Sequence, residues 1–416
     1  MSKFATLDHE PTLSAKLKVI GVGGGGCNAI ESMMKRGLSG VEYVAINTDA
    51  QVLATSNADH KLQIGTNLTK GLGAGADPNV GKKALEEDRE KITRLLEGSD
   101  MIFITAGMGG GTGTGGAPIV ASIAQSIGAL VIGIVTKPFR WEGKKRMLNA
   151  EEGISEMRQY VDSLIVIPNE RILNILDDSA GAFKAFDKPN EVLHEATRGI
   201  ADIITVSGRI NVDFADVRSV MNHSGEALMG CGIASGENRA EEAAQKAISS
   251  PLLEGISING AKNILLNVTA SSNLTMKEIN DGNQVIYDAA GEEANIIFGL
   301  VQKEEMNEYV SYTVIATGFS VASGFGKATQ PVIEEKRPKK EESVFTPFSL
   351  GDFQPNENDD LEIPTYKRMG GSIDLFGEEN INKNGFNFEG RISKPNSKDE
   401  VREDDESSDF LRMMMD

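Results

Sequence analysis

The chain has 416 residues, with 42 Lys and Arg against 61 Asp and Glu and a formal net charge of −19 at pH 7. That balance argues against a binder of the nucleic-acid backbone, which needs clustered Lys and Arg, and a chain this long, 40% hydrophobic, can fill a large core in two or three domains. Only two cysteines occur, Cys27 and Cys231, which excludes a disulfide scaffold and points to a reducing cytosol.

Residues 1–16 mix acids and bases without an apolar core and predict a flexible segment, not a signal peptide. LKVIGV (17–22), YVAINT (43–48), MIFITA (101–106), LVIGIVT (130–136) and SLIVIP (163–168) are short β-branched runs without polar alternation. Between them CNAIESMMKRG, KKALEEDREKITRLLEG, APIVASIAQSIGA and RMLNAEEGISEMRQYV carry helical spacing. Buried strands separated by helices predict a doubly wound parallel-sheet α/β domain over 17–180. The charge-free stretch 101–136 is broken by GMGGGTGTGGAP, so it cannot span a bilayer.

A long helix, AFDKPNEVLHEATRGIADIITV, and the loop after it occupy 181–221. Helices ENRAEEAAQKAISS and TMKEINDGNQVIYDAAG, with strands AKNILLNVTA, ANIIFGLV and EYVSYTVIATG, then predict a smaller α+β domain over 222–322. Residues 323–416 read as a disordered acidic linker and tail. From 331 onward they hold 21 acidic and 12 basic side chains and too little apolar surface to offset ordering. Two apolar clusters, one from Leu361 (LEIPTYKRM) and one from Asp409 (DFLRMMM), are candidate docking peptides.

Two glycine-rich turns carry the chemistry. Gly21, Gly23 and Gly26 fit G-x-G-x-x-G between a strand and a helix, where bare backbone N–H groups can approach phosphate. Five glycines in six positions exceed what a tight turn requires, but this turn alone suits a nicotinamide or flavin cofactor as readily as a nucleotide. The second turn, Gly109 to Gly116 (GGGTGTGG), also lies between strand and helix, so both turns would face one crevice. Phosphate donors from both turns, with the Thr112 and Thr114 hydroxyls, suit a nucleoside triphosphate. No Walker A pattern occurs, since Gly81-Lys82-Lys83 lacks the upstream glycine and the hydroxyl. Asp213 and Asp216, three apart, share one face of a helical turn, where they could polarise a water or simply complement the helix dipole.

GGGTGTG resembles the tubulin signature loop, and over residues 17–320 the ordered motifs resemble the FtsZ family of bacterial cell-division GTPases. The resemblance implies a tubulin-like fold that binds GTP; triphosphate chemistry then implies a Mg²⁺ bridging phosphates, with no protein cage for it visible in the sequence. It assigns GTP contacts to Gly24, Gly25, Gly26, Cys27 and Asn28, to Asn47 and Asp49 of NTDAQ, and to Ala74 and Gly75 of GAGADP. Gly110, Gly111, Thr112, Gly113 and Thr114 follow, then Pro138, with Glu142 toward ribose and Arg146 toward phosphate. Asn169, Phe186 and Asn190 fall where the family contacts guanine. NVDFADVR (211–218) resembles the synergy loop, so Asn211, Asp213 and Asp216 would act in the next subunit's pocket. That heterologous contact does not close and generates filaments.

The same resemblance implies a cytoplasmic scaffold of the mid-cell division ring beneath the inner membrane, without membrane insertion. Tethers and regulators would bind the tail through Leu361, Ile363, Pro364, Tyr366, Lys367 and Arg368, within 359–369, with 409–415 as the rival peptide. Cys27 stands where glycine is common in the family and places a thiol at a helix N-terminus. The alternative reading is a Rossmann-type NAD-dependent oxidoreductase using Gly21, Gly23 and Gly26 with Asp49 on ribose, and it leaves GGGTGTG and NVDFADV unexplained.

Overall fold

Parallel strands buried on both faces must be continuously apolar, and the strands that build the first half are so. The computed structural model describes residues 15–173, 181–206, 210, 212–253 and 257–319. Asn211, the N-terminal segment and both tail peptides lie outside the described residues. Ten described strands form one sheet: β1 (Leu17–Val22), β2 (Val41–Asn47), β3 (His60–Gln63), β4 (Met101–Gly107), β5 (Leu130–Lys137), β6 (Ser163–Pro168), β7 (Gly225–Ser235), β8 (Asn263–Ala270), β9 (Asn295–Gln302) and β10 (Tyr309–Thr317). Their order is β3-β2-β1-β4-β5-β6-β7-β10-β8-β9.

The first six strands run parallel, and their order reverses where β1 pairs with β4, Leu17 opposite Met101 through Val22 opposite Ala106. A crevice opens outside the carboxyl ends of strands at such a switch point. Both glycine turns leave β1 and β4, so the topology brings them side by side. One sheet face packs Val19, Phe103 and Ile132 against the helices Gly23–Lys35 and Ala182–Thr205. The other packs Ile20, Ile102 and Val131 against the helices Pro78–Glu87, Thr112–Ser126 and Lys144–Met157. A third core, with Leu266 and Tyr312, lies beneath the helices Arg239–Ile248 and Met276–Ala290.

The fold is an α/β architecture with a mostly parallel sheet, as expected. Three local features differ from the sequence reading. The helix expected through KKALEEDREKITRLLEG is two helices, Pro78–Glu87 and Arg89–Leu96, broken at Asp88. Asp88 is buried because its carboxylate accepts from the Gly65 N–H (2.8 Å) and from Lys91 (2.6 Å). Strand β7 (GEALMGCGIAS), with Ile233 its one β-branched residue, carries no strand signal. It forms because Gly225–Ala227 pair with β6 and Leu228–Ser235 pair with β10. The first helix begins at Gly23, not Cys27, so the glycines are its first turn. No described helix is long and apolar enough to cross a membrane.

Candidate nucleotide site

The two glycine turns are packed on each other before any ligand is considered. Gly23 adopts φ +73°, and a Cβ there would lie 2.7 Å from the Gly113 nitrogen. A Cβ on Gly26 would lie 2.5 Å from the Thr105 carbonyl oxygen, and one on Gly115 1.9 Å from that of Pro78. Much of the glycine content therefore serves close backbone approach, which the sequence reading set aside as an explanation. The loop hydroxyls are likewise turned inward. Thr48 and Thr112 share a buried hydrogen bond of 2.7 Å, and the Gly109 N–H donates to Thr114 Oγ1 at 2.8 Å. Both threonines brace the loop; neither lines the cavity described next.

That cavity, about 670 Å³, opens at the switch point. Gly25, Asn28, Gly107 and Gly110 line it from the two turns, Thr136 and Pro138 from the end of β5, and Glu142 and Arg146 from the segment after it. Asn169, Phe186 and Asn190 close it from beyond β6 and from the long helix. Nine of the expected contacts thus converge: Gly25, Asn28, Gly110, Pro138, Glu142, Arg146, Asn169, Phe186 and Asn190. Glu142 accepts from the Phe139 N–H (2.8 Å) and from Arg146 (2.7 Å), so this pair is part of the wall, not an exposed helix pair. Phe186 meets Phe139 and Trp141 edge-on at 6.1 Å, which fixes its ring. Asn169 Oδ1 is buried without a protein hydrogen-bond partner. A buried acceptor aimed at a cavity suits a ligand N–H.

The remaining expected contacts sit behind this wall or beside it. Gly24, Gly26, Gly111 and Gly113 belong to the turns but do not line the cavity. Asn47 is fully buried, Ala74 nearly so, and Gly75 adopts φ +61° in its loop. Asp49 caps the helix Ala50–Thr55, accepting from the Gln51 and Val52 N–H groups, so the ribose role that a dinucleotide reading gives it is not favoured. Cys27 is buried in the core, and burial, aided by Asp49, pushes its thiol up to about 12. This is the opposite of an activated thiol at a helix N-terminus.

The sequence reading missed Glu31, Ser32, Lys35 and Arg36, which line the cavity from the first helix. Their signal was available, since Asn28, Ser32 and Arg36 recur at i, i+4 on one stripe. Arg36 reaches Glu191 of the long helix at 3.6 Å. Asp213 and Asp216 are exposed and contribute nothing to the lining. Asp213 is the N-cap of the helix Phe214–Met221, its Oδ1 accepting from the Asp216 N–H at 2.8 Å. Among the described residues no cluster of three potential metal ligands occurs.

Comparison with known proteins bears directly on this site. Residues 16–177 match the Tubulin/FtsZ family GTPase domain, and residues 225–320 match the FtsZ family C-terminal domain. An empty FtsZ dimer structure from M. jannaschii is 44% identical, with TM-score 0.71, covering 74% of this chain and 89% of that one. A tryptophan-to-tyrosine mutant of M. jannaschii FtsZ is also 44% identical, at TM-score 0.70, covering 74% and 92%. The fold extends to CetZ2 from Haloferax volcanii, a GTPγS-bound protofilament, 20% identical at TM-score 0.62 over 74% and 94% of the two chains. The chain belongs to the Tubulin/FtsZ family, and it is a GTP-binding GTPase.

Proposed function

We propose that the chain assembles head to tail with copies of itself, and that GTP hydrolysis is completed in trans by Asp213 and Asp216, with Asn211, at the next copy's cavity. One observation carries the reading: among the described residues, the cavity that would hold GTP has no uncommitted acid near the glycine turns. Of its acids, Glu31 is taken by Asn57, Glu142 by Arg146 and the Phe139 N–H, and Asp187 stands beside Phe186 on the long helix. The exposed carboxylates of Asp213 and Asp216 lie outside it and need a second copy to meet a phosphate. A relative 44% identical forms a dimer, which supports self-association.

In this reading backbone N–H groups of Gly24–Asn28 and Gly110–Thr114 cradle the phosphates. Arg146 adds a charge-assisted contact, Glu142 accepts from a ribose hydroxyl, Phe186 stacks on guanine, and Asn169 and Asn190 read its edge. A Mg²⁺ bound with the triphosphate would neutralise charge developing on it. The incoming carboxylate orients the attacking water. In the cell the filaments would scaffold the division ring in the cytoplasm at mid-cell, tethered through residues 359–369.

The test is GTP turnover per subunit against protein concentration, with light scattering in parallel. Turnover that rises above a threshold together with scattering is expected. Flat turnover per subunit would sink the shared site.

A further inference from the structure

We propose that the exposed surface formed by Arg140, Trp141, Lys144, Lys145 and Leu148 is a docking site for this chain's own acidic segment 404–416. Three observations meet there. Trp141 and Leu148 are each 59% exposed, an aromatic and an aliphatic side chain left in water one helical turn from the cavity wall. Around them stand the exposed cations Arg140, Lys144 and Lys145, none of which makes an ion pair among the described residues. Besides Arg146, which pairs with Glu142 in the cavity wall, the helix Lys144–Met157 opens on the cations Lys144 and Lys145, with no acid in its first turn and no side-chain cap. The helix dipole disfavours positive charge at that end, so the arrangement costs fold stability and is explained by an anionic partner.

The surface is local. Leu148 follows Lys144 by four residues and Lys145 by three, which puts all three on one stripe. The nearby acids are Glu142, committed to Arg146, Glu151, facing Lys137 at 3.4 Å, Glu170, accepting from the Arg140 N–H at 3.1 Å, and the exposed Glu152 one turn beyond Leu148. The chain as a whole carries −19, so an anionic membrane is repelled over most of the surface. Segment 404–416 (DDESSDFLRMMMD) supplies the complement, with five acids against one base and an apolar run of Phe410, Leu411 and Met413 to Met415. Its acids match the cations, and its apolar run matches Trp141 and Leu148.

Reach is no obstacle. The 84 residues between Phe319 and Asp404 can span far more than the diameter of a domain, and tethering sets a local concentration on the order of millimolar. The consequence reaches the nucleotide. Trp141 stacks on Phe139 at 5.2 Å, and both rings contact Phe186 in the cavity wall, so an occupant on Trp141 stiffens the wall around the base.

Trp141 is the only tryptophan in the chain, so its fluorescence reports this surface alone. The experiment is acrylamide quenching of the full chain with GDP, compared with the D404N/D405N/E406Q/D409N variant. At about 50 mM salt the wild type should show a quenching constant at least about twofold lower than the variant, and at about 500 mM salt the two should coincide, because screening releases the segment. K144E/K145E should quench like the acid-neutralised variant, and adding D404K/D405K to K144E/K145E should restore protection. Equal quenching constants at low salt overturn the proposal. So does protection that vanishes on roughly twentyfold dilution, which means a second copy, or protection that appears only with phosphatidylglycerol vesicles, which means a membrane.

Discussion

The cavity at the β1/β4 switch point and the loop carrying Asp213 and Asp216 are built to opposite specifications. The cavity stands on strands buried on both faces, its glycine turns locked against each other and its Glu142–Arg146 pair already formed. The acid loop lies in water, Asp213 spending one oxygen on its own helix cap while Asp216 stays exposed. Phosphate binding requires donors fixed in advance, which burial and packing provide. A carboxylate kept dehydrated beside phosphate would instead carry a standing electrostatic cost. Under the proposed head-to-tail assembly, holding the acids in solvent until a second copy brings them in would avoid that cost and tie hydrolysis to contact.

The contrast breaks most sharply at the acids. Asp216→Asn should lower kcat by about 10²–10⁴-fold with GTP affinity unchanged, read by turnover beside equilibrium binding. Equal losses in both would place Asp216 in binding instead. Asp213→Asn should behave alike, whereas Asp213→Ala should lose a further ~1 kcal/mol of stability with the cap. On the cavity side, Gly115→Ala forces a Cβ into the Pro78 carbonyl and should cost about 3 kcal/mol, with GTP binding falling in step. An unchanged Tm would mean that the helix Thr112–Ser126 is not locked against Pro78.

A third change touches neither region and so separates folding from function. Glu278 caps the helix Met276–Ala290 and pairs with the buried Arg239 at 2.7 Å. Partial burial raises its carboxyl, but hydrogen bonds from Arg239 and Thr275 outweigh that and bring it down to about 2. A depressed carboxyl contributes stability that is present above its unfolded value of 4.5 and is lost as pH falls toward 2. Glu278→Gln should therefore be ~2 kcal/mol less stable at pH 7 by thermal unfolding, the partly exposed side chain reducing the full linkage value. The gap should close between pH 4.5 and 2, and a gap independent of pH would assign the loss to packing. The smallest effect concerns the thiols. Burial pushes Cys27 up to about 12 and Cys231 to about 11. A thiol reagent at about pH 8 should modify neither in the native chain and both once it is unfolded.

Much of this was legible beforehand. The apolar runs at β1, β2, β4, β5 and β6 announced a doubly covered sheet, because only such strands dispense with polar alternation. The i, i+4 pair Glu142–Arg146 and the ring of Phe186 were found from motif resemblance and converge on the cavity. Less legible was what each glycine is for. Composition counts glycines but does not say whether a bare Cα faces phosphate, as Gly25 and Gly110 face the cavity, or faces another chain segment, as Gly26 and Gly115 do. Strand β7 escaped for a related reason, since it is imposed by partners on both sides and not by its own residues.

The sequence by itself determined the parallel sheet, the two glycine turns after β1 and β4, and the acids of the 212–218 stretch, because periodicity and residue type are local properties. Only the tertiary structure decided that Thr112 and Thr114 turn inward, that Asp49 and Asp213 cap helices, that Cys27 is buried in the core, and that Lys35 and Arg36 reach the cavity wall. Those outcomes depend on which distant segment occupies the space beside each side chain, and packing alone sets that.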